Sequence, residues 1–248
     1  MLEAEVAKLI KEAGIDATKL RVEHGLNPRN NEPMLDVLLL QYPSVFQERG
    51  YVSNAVKIEG GARPNPEPSE PRNIVPYVSS SLPQTFNLPV AGVVTVRPER
   101  TFWEKVLILH AMREMTEARI AGNDPGRLPP NLNRYSRHYY DVHQLWSHPD
   151  YGTKAAMMAD LAEECRSHKS LMFRAPDHHY ELAKPGTYRL MPTERMMRTL
   201  AKDYENMRGM IFGAPPTFEQ VMKSISELEH FVNVDYNPEL NKNTMAPA

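Results

Sequence analysis

The hydrophobic pattern of this chain changes near Pro98, and the change restricts the folds that the sequence can adopt. Before this point, apolar residues alternate with polar ones or form short continuous runs, as is typical of β-strands. After it, apolar residues recur every three or four positions over long segments, as is typical of amphipathic helices. The sequence therefore predicts an α+β fold, in which a small mixed β-sheet is followed by a C-terminal helical bundle.

The boundaries of the predicted elements follow from the same pattern. A first helix is expected over 2–13, ended by Gly14. Strands are expected over 18–24, 34–42 (buried on both faces) and 55–59, with shorter candidates at 73–78, 91–96 and 188–190. Helices are expected over 99–119, 135–147, 153–168, 192–212 and 217–231. The proline-rich segment 60–73 is predicted to be a loop that joins no sheet. These elements predict a sheet domain over 1–97 and a helical domain over 98–248, with a disordered tail from about residue 236.

Composition and missing motifs narrow the class of protein. The 248 residues carry a formal net charge of −2, which argues against a generally basic surface for nucleic acids. The single cysteine, Cys165, cannot form an internal disulfide, and we interpret it as a packing residue in a reducing compartment. The sequence has no apolar run of membrane-spanning length and no signal-peptide pattern, so a cytoplasmic protein without membrane contact is expected. The common phosphate-loop, dinucleotide, zinc-protease and hydrolase motifs are missing from the sequence.

Two adjacent charged residues stand in the apolar start of the helix predicted after Pro98. Thr101 and Glu104 have the spacing of a capping box, which gives Glu104 a structural role at the helix start. Lys105 has no comparable structural role, and an ammonium group here would suit an anionic ligand. The alternative is a lysine whose stem packs on apolar surface while its charge reaches solvent. Between residues 97 and 137, eight Arg or Lys against five Asp or Glu also favour a phosphate-rich partner.

Further charged residues have both a functional and a structural interpretation. Arg137 and Asp141 are four positions apart on one helix face, where they can form a local ion pair or meet a phosphate and a metal or proton. Lys57 and Glu59 project from the same face of a predicted strand, which by itself indicates a polar outer face. Asp36 interrupts an apolar run, so it lies either at a sheet end or in a functional position.

The histidines of the second half do not form a ligand pattern. His138, His143 and His148 are spaced by five residues, which spreads them around a helix. We interpret them as solvated or capping residues and not as metal ligands.

Three segments carry a resemblance to a known family: K-I-E-G-G-A-R at 57–63, R-T-F-W-E-K-V-L-I-L-H at 100–110 and S-R-H-Y-Y-D-V at 136–142. Together they resemble the AbiEii/AbiGii toxin family of nucleotidyltransferases, bacterial enzymes of the polymerase-β-type superfamily. The helical segments 200–207 and 218–229 also fit, so the resemblance covers most of the chain from about residue 40. Its most specific part is T-x-W-E-K combined with R-x-x-Y-D at this separation.

The resemblance implies an activity and a set of site residues. The activity is transfer of a nucleotide from an NTP, with Mg²⁺ as cofactor, to an acceptor such as a tRNA end or a protein, in a toxin–antitoxin or abortive-infection system with a cognate antitoxin. It implies that Lys57, Lys105 and Arg137 contact the substrate. It also implies that Glu59 and Asp141 are catalytic, that Glu59 holds the metal, and that these residues converge on one cleft.

The same resemblance implies that part of the family pattern is missing. Nothing before residue 57 matches the family's G-G-T-x-L or G-S segment or its D-x-D strand, so the sheet is expected to be an incomplete nucleotidyltransferase core. We expect a truncated product, a mis-assigned start, half of a split pair or a decayed enzyme, with impaired activity. The alternatives to a toxin enzyme are a non-catalytic module that binds NTP or RNA, and a structural remnant without a ligand.

Overall fold

The computed structural model describes residues 2–27, 30–44, 51, 53–61, 65–86, 89–122 and 132–236. Its small antiparallel sheets and predominantly helical second half confirm the predicted α+β class. The chain divides into two units, Met1–Pro64 and Asn65–Ala248. This division groups residues 65–97 with the helices, whereas the sequence predicted domains of 1–97 and 98–248. Apart from Tyr236, the tail predicted to be disordered lies outside the described residues.

The first unit combines one helix with a three-stranded antiparallel sheet. Its elements are α1 (Leu2–Glu12), β1 (Arg21–Leu26), β2 (Pro33–Gln41) and β3 (Ala55–Glu59), with the strand order β1-β2-β3. Val6 and Ile10 of α1 form a small core with Leu38 of β2. Val37 and Leu38 are 5% and 1% exposed, and neighbouring residues of a strand face opposite sides. The prediction that the middle strand is buried on both faces is therefore confirmed.

The second unit combines a β-hairpin with a set of helices. The hairpin consists of β4 (Ser69–Ile74) and β5 (Val90–Val96). The helices are α2 (Pro83–Phe86), α3 (Pro98–Ala121), α4 (Ser136–Trp146), α5 (Gly152–Ala156), α6 (Ala159–Met172), α7 (Glu194–Met207) and α8 (Phe218–His230), which continues as a π-helical turn over Phe231–Asp235. Within the described residues, no helix is both long and apolar enough to span a membrane.

Helix α3 lies at the centre of the second unit. It packs against α4, α5 and α6, and its buried apolar side chains include Phe102, Trp103, Val106, Leu107 and Leu109. A helix that is apolar on nearly all sides is stable in water only when other elements surround it. The central position of α3 thus explains why the sequence after Pro98 is so rich in apolar residues.

Several predicted strands are wrong in detail. The single mixed sheet is instead two antiparallel sheets. The segment predicted as a proline-rich loop contains most of β4, where Pro71 lies opposite Val94. Both strands of a two-stranded sheet are edge strands, and an edge strand tolerates a residue without an N–H donor. The strand predicted at 73–78 ends at Ile74, and a 3₁₀ turn follows at Tyr77–Ser80.

Two further predictions are wrong, one of a strand and one of a single long helix. Residues 188–190 form no strand. The backbone N–H of Tyr188 donates to the side chain of Asn233 at 2.8 Å, and those of Leu190 and Met191 donate to Glu229. The helix predicted at 153–168 is two helices, α5 and α6, separated at Met157 and Met158.

Candidate functional site

A lysine, an aspartate and a histidine meet where α3 packs against α4. Lys105 Nζ lies 2.8 Å from Oδ2 of Asp141 and 3.2 Å from Nδ1 of His138. His138 and Asp141 are three positions apart on α4, which places both on the face that meets Lys105. An ammonium group has three N–H donors, of which two are used here and the third has no acceptor among the described residues. The side chains of Lys105 and Asp141 are 25% and 37% exposed, so a ligand in solvent can reach them.

His138 is a member of this site that the sequence analysis missed. It is only 9% exposed, so the interpretation as a solvated or capping residue is wrong. Burial, and then the positive charges of Lys105, Arg137 and Lys169, lower its pKa to about 3. The imidazole is therefore neutral near pH 7 and accepts the Lys105 hydrogen bond at Nδ1. The pattern that could have found it is its position one helical turn before Asp141.

The other two histidines of that series have ordinary structural partners. His148 Nδ1 accepts a hydrogen bond from the backbone N–H of Asp150 at 3.2 Å, which is a capping role. His143 Nδ1 lies 2.6 Å from the hydroxyl of Ser224. Neither residue contacts the Lys105 site within the described part of the chain.

A buried charged cluster lies beside the site on α3 and α6. The Arg100 side chain is fully buried, with Nε 3.2 Å from Glu104 and Nη1 2.9 Å from Glu164, and Nη1 also donates to the backbone carbonyl of Glu67. Lys169 Nζ lies 3.8 Å from Glu104. Burial is the main cause that lowers the pKa of Lys169, while the carboxylate of Glu104 opposes this effect. The cluster links Glu67, two residues before β4, to α3 and α6.

This cluster corrects the role predicted for Glu104. Helix α3 begins at Pro98, with Arg97 in the N-cap position, so Thr101 is already inside the helix. Proline at the first helical position needs no hydrogen-bond acceptor for a backbone N–H, and this allows the helix to start a turn earlier than the capping box implied. Glu104 therefore pairs with Arg100 and does not cap α3.

The start of α4 is held by a buried aspartate from α7. Oδ2 of Asp203 accepts hydrogen bonds from the backbone N–H of Ser136, at 2.9 Å, and from its hydroxyl. Burial raises the pKa of Asp203, and the two Ser136 hydrogen bonds oppose that shift. Because Ser136 is the first residue of α4, this contact fixes the helix that carries His138 and Asp141.

Of the two interpretations of Arg137 and Asp141, the local ion pair is not seen among the described residues. Asp141 pairs with Lys105 from α3, and Arg137 is exposed on the first turn of α4. Within the described residues no ion pair joins Arg137 to Asp141. Asp141 therefore pairs at 2.8 Å with Lys105 from another helix, and not with Arg137, which the spacing within α4 would allow.

The predicted site residues of the first unit lie on β3. Lys57 Nζ is 2.5 Å from Glu59, and their side chains are 50% and 59% exposed, in agreement with a polar outer face. Asp36 is exposed and stands just beyond the β2–β3 ladder, where its carbonyl accepts a hydrogen bond from Gly60 at 2.8 Å. Asp36 therefore lies at the end of the β2–β3 pairing, whereas β2 itself continues to Pro33 beside β1. Convergence of Lys57 and Glu59 with the residues of the second unit stays a prediction.

The predicted packing role of Cys165 is confirmed, because the side chain is fully buried. Burial is the largest cause that raises the pKa of its thiol, to about 12. A thiol with so high a pKa is protonated near pH 7 and is a poor nucleophile.

The described residues do not by themselves fit a magnesium site. Among them there is no group of three or more His, Cys, Asp or Glu side chains that could hold a metal ion. Asp141 has an ammonium group at 2.8 Å and Glu59 has one at 2.5 Å, and each cation competes with a metal for its carboxylate. Magnesium prefers several oxygen ligands in an octahedral arrangement.

The neutral state of His138 is expected to make the folded protein sensitive to acid. Its pKa is about 3 in the folded chain, whereas an unfolded histidine titrates near about 6.5. Because the folded pKa is the lower one, the stability that it contributes is complete above about pH 6.5 and is lost as the pH falls towards about 3. We expect a loss on the order of a few kcal/mol, since each pKa unit corresponds to about 1.4 kcal/mol.

The variant His138→Asn tests this expectation, because asparagine does not titrate. Thermal unfolding followed by circular dichroism between about pH 7 and pH 4 should show a flatter dependence of Tm on pH in the variant than in the wild type. Parallel curves for the two proteins would show that His138 does not cause the acid sensitivity.

Comparison with known proteins adds an independent finding. A family model described as "Nucleotidyl transferase AbiEii toxin, Type IV TA system" matches residues 2–224. The match begins well before residue 40, where the resemblance in the sequence motifs starts. No curated protein and no solved structure matches the chain. The matched range contains both the Lys105–Asp141 pair and the Lys57–Glu59 pair.

Proposed function

This chain belongs to the nucleotidyl transferase AbiEii toxin family of type IV toxin–antitoxin systems, and we propose that it binds the triphosphate of an NTP at Lys105. The proposed reaction transfers a nucleotide from the NTP to an RNA or protein acceptor. The observation that carries the proposal is the partly exposed Lys105 ammonium, held 2.8 Å from Asp141 at the interface of α3 and α4. A cation fixed by protein acceptors, with one N–H donor left over, suits a phosphate oxygen.

Asp141 has the chemistry of a proton acceptor in this proposal. Its Oδ2 is occupied by Lys105, whereas within the described residues its Oδ1 has no hydrogen-bond partner. A hydroxyl of the acceptor would attack the α-phosphorus of the NTP and pass its proton to Oδ1. The new bond joins the acceptor oxygen to phosphorus, and the bond from phosphorus to pyrophosphate breaks. Lys105 would stabilise the charge on the phosphate oxygens during this exchange.

The remaining parts of the proposal follow from family membership. Arg137 is exposed on the same helix as Asp141 and is proposed as a second cation for the substrate. Lys57 and Glu59 are proposed as substrate-binding and catalytic residues of the first unit. Magnesium is the cofactor, and a cognate antitoxin the partner, that the family implies. A tRNA end is the proposed acceptor, with a protein as the other class to be tested.

A transfer assay tests the proposed function. The 248-residue protein is incubated with each of the four NTPs, labelled at the α-phosphate, together with tRNA and cell lysate, with Mg²⁺ or with EDTA. The expected result is label on a macromolecule, present in the wild type and lost in Asp141→Asn, which keeps the shape of the side chain but not its charge. Label that is equally strong in this variant, or no label with any NTP, would refute the proposed role.

A non-catalytic NTP-binding module is the second candidate, and one observation favours it. Both carboxylates assigned to catalysis are already paired with lysine ammonium groups, Asp141 with Lys105 and Glu59 with Lys57. A lysine in such a pair can still donate to a phosphate, whereas its carboxylate partner is less available to bind a metal. This candidate gives NTP binding by the wild type without any transfer of label, whereas the enzyme gives both.

A further inference from the structure

We propose that His138 is a positioning residue, which holds the ammonium group of Lys105 in place to receive a phosphate. The inference deepens the proposed function and rests on it for the identity of the ligand. The hold itself depends only on the geometry of the described residues.

The geometry places His138 where it can hold the Lys105 ammonium. Its Nδ1 is 3.2 Å from Lys105 Nζ. Asp141, one helical turn further along α4, also contacts Lys105 Nζ. The imidazole is confined, because the residue is 9% exposed and packs edge-to-face on the Tyr135 ring at 5.2 Å. Two acceptors from one rigid helix fix the Lys105 ammonium more narrowly than a single carboxylate on a flexible partner would.

The charges around His138 explain why a neutral acceptor is useful. The cations that face it are Lys105 on α3, Arg137 on α4 and Lys169 on α6, and the neighbouring carboxylate is Asp141. Lys105 and Asp141 already cancel each other in formal charge. A second carboxylate in place of His138 would give the side chains at positions 105, 138 and 141 a net negative charge and would weaken their attraction for a phosphate. A neutral imidazole accepts the hydrogen bond and leaves the positive charge of Lys105 undiminished.

Chemical labelling of Lys105 tests whether His138 positions its ammonium group, and it needs no nucleotide. The full chain is treated briefly with acetic anhydride at a fixed pH near 8, and acetylation of each lysine is measured by peptide mass spectrometry. In His138→Phe, which removes the acceptor and keeps an aromatic ring beside Tyr135, Lys105 should be acetylated about threefold to tenfold more than in the wild type. In His138→Asn, whose side-chain oxygen can replace Nδ1, Lys105 should stay within about twofold of the wild type.

The exposed Lys202 on α7 is the internal control, and its acetylation should be the same in all three proteins. Thermal unfolding verifies that each variant is folded. If the Phe variant does not fold, His138→Ala removes the acceptor without adding volume. Unchanged Lys105 acetylation in the folded variant, or an equal increase in His138→Asn, would overturn the positioning role.

A second measurement separates this inference from the proposed function. ATP affinity is measured for the same proteins by calorimetry. A positioning role gives about fivefold to tenfold weaker binding for His138→Phe and near wild-type binding for His138→Asn. If the wild type binds no NTP, the proposed function fails, and the acetylation result alone decides whether His138 holds Lys105. Wild-type ATP affinity in His138→Phe would show that the hold has no effect on phosphate binding.

Discussion

Replacement of Lys105 by alanine is expected to weaken ATP binding by about 10- to 100-fold. A hydrogen bond to a charged group contributes about 1.5–3 kcal/mol, and about 1.4 kcal/mol corresponds to a factor of ten. The substitution also removes the ammonium that lies 2.8 Å from Asp141. The carboxylate then stands unpaired where the triphosphate would bind, and like charges repel. Calorimetry with each of the four NTPs measures the change.

Two further variants show whether the effect belongs to the site. Lys202→Ala removes an exposed lysine from α7 and should leave ATP affinity unchanged. Asp141→Asn keeps a neutral acceptor near Lys105 and should not weaken ATP binding, although it should abolish transfer. If Lys105→Ala binds ATP as tightly as Lys202→Ala does, the triphosphate does not contact Lys105.

Replacement of Arg100 by methionine is expected to lower the free energy of unfolding by about 3 kcal/mol. The guanidinium is fully buried, and it bonds to Glu104, Glu164 and the carbonyl of Glu67. Removing one partner of a buried ion pair typically costs about 3–5 kcal/mol, because the other charge stays behind unpaired. The lower figure applies because Glu164 is half-exposed and can be solvated. For a chain of this size, Tm should fall by roughly 6–12 °C.

The control for this prediction is Arg72→Met in β4. Arg72 also pairs with a glutamate, Glu70, but its side chain is 53% exposed. Exposed ion pairs contribute little to stability, so Tm should change by no more than about 4 °C. Thermal unfolding of both variants provides the comparison. Equal losses would show that burial of Arg100 does not determine its contribution.

Much of the fold could be predicted because hydrophobic period is a local property of the sequence. The α+β class and α1 follow from periods of 3.6 and two residues, and the buried strand β2 follows from a continuous apolar run. Strand β4 could not be predicted in the same way. Whether Pro71 is tolerated depends on the number of strands in its sheet, and this number is not a local property.

Lys105 and Asp141 were each predicted as site residues, but the contact between them was not. Lys105 was recognised because an ammonium in an apolar helix start needs an explanation, and Asp141 because of its motif. Their pairing joins residues 36 positions apart and depends on how α3 packs on α4. The local spacing rule instead allowed a pair between Asp141 and Arg137. His138 was missed because it was compared only with the other histidines, which are spaced by five residues. Its spacing of three residues from Asp141 was not considered.

Protection of Lys105 by a nucleotide tests the central claim most directly, since it reports contact at one named atom. The wild-type protein is acetylated with and without saturating ATP, and each lysine is quantified by peptide mass spectrometry, with adenosine as the control that lacks phosphates. The expected result is that ATP reduces acetylation of Lys105 by about tenfold, that adenosine does not, and that Lys202 is unaffected by either. If ATP leaves Lys105 as reactive as adenosine does, or protects only lysines outside the α3–α4 interface, then Lys105 is not the phosphate-binding residue.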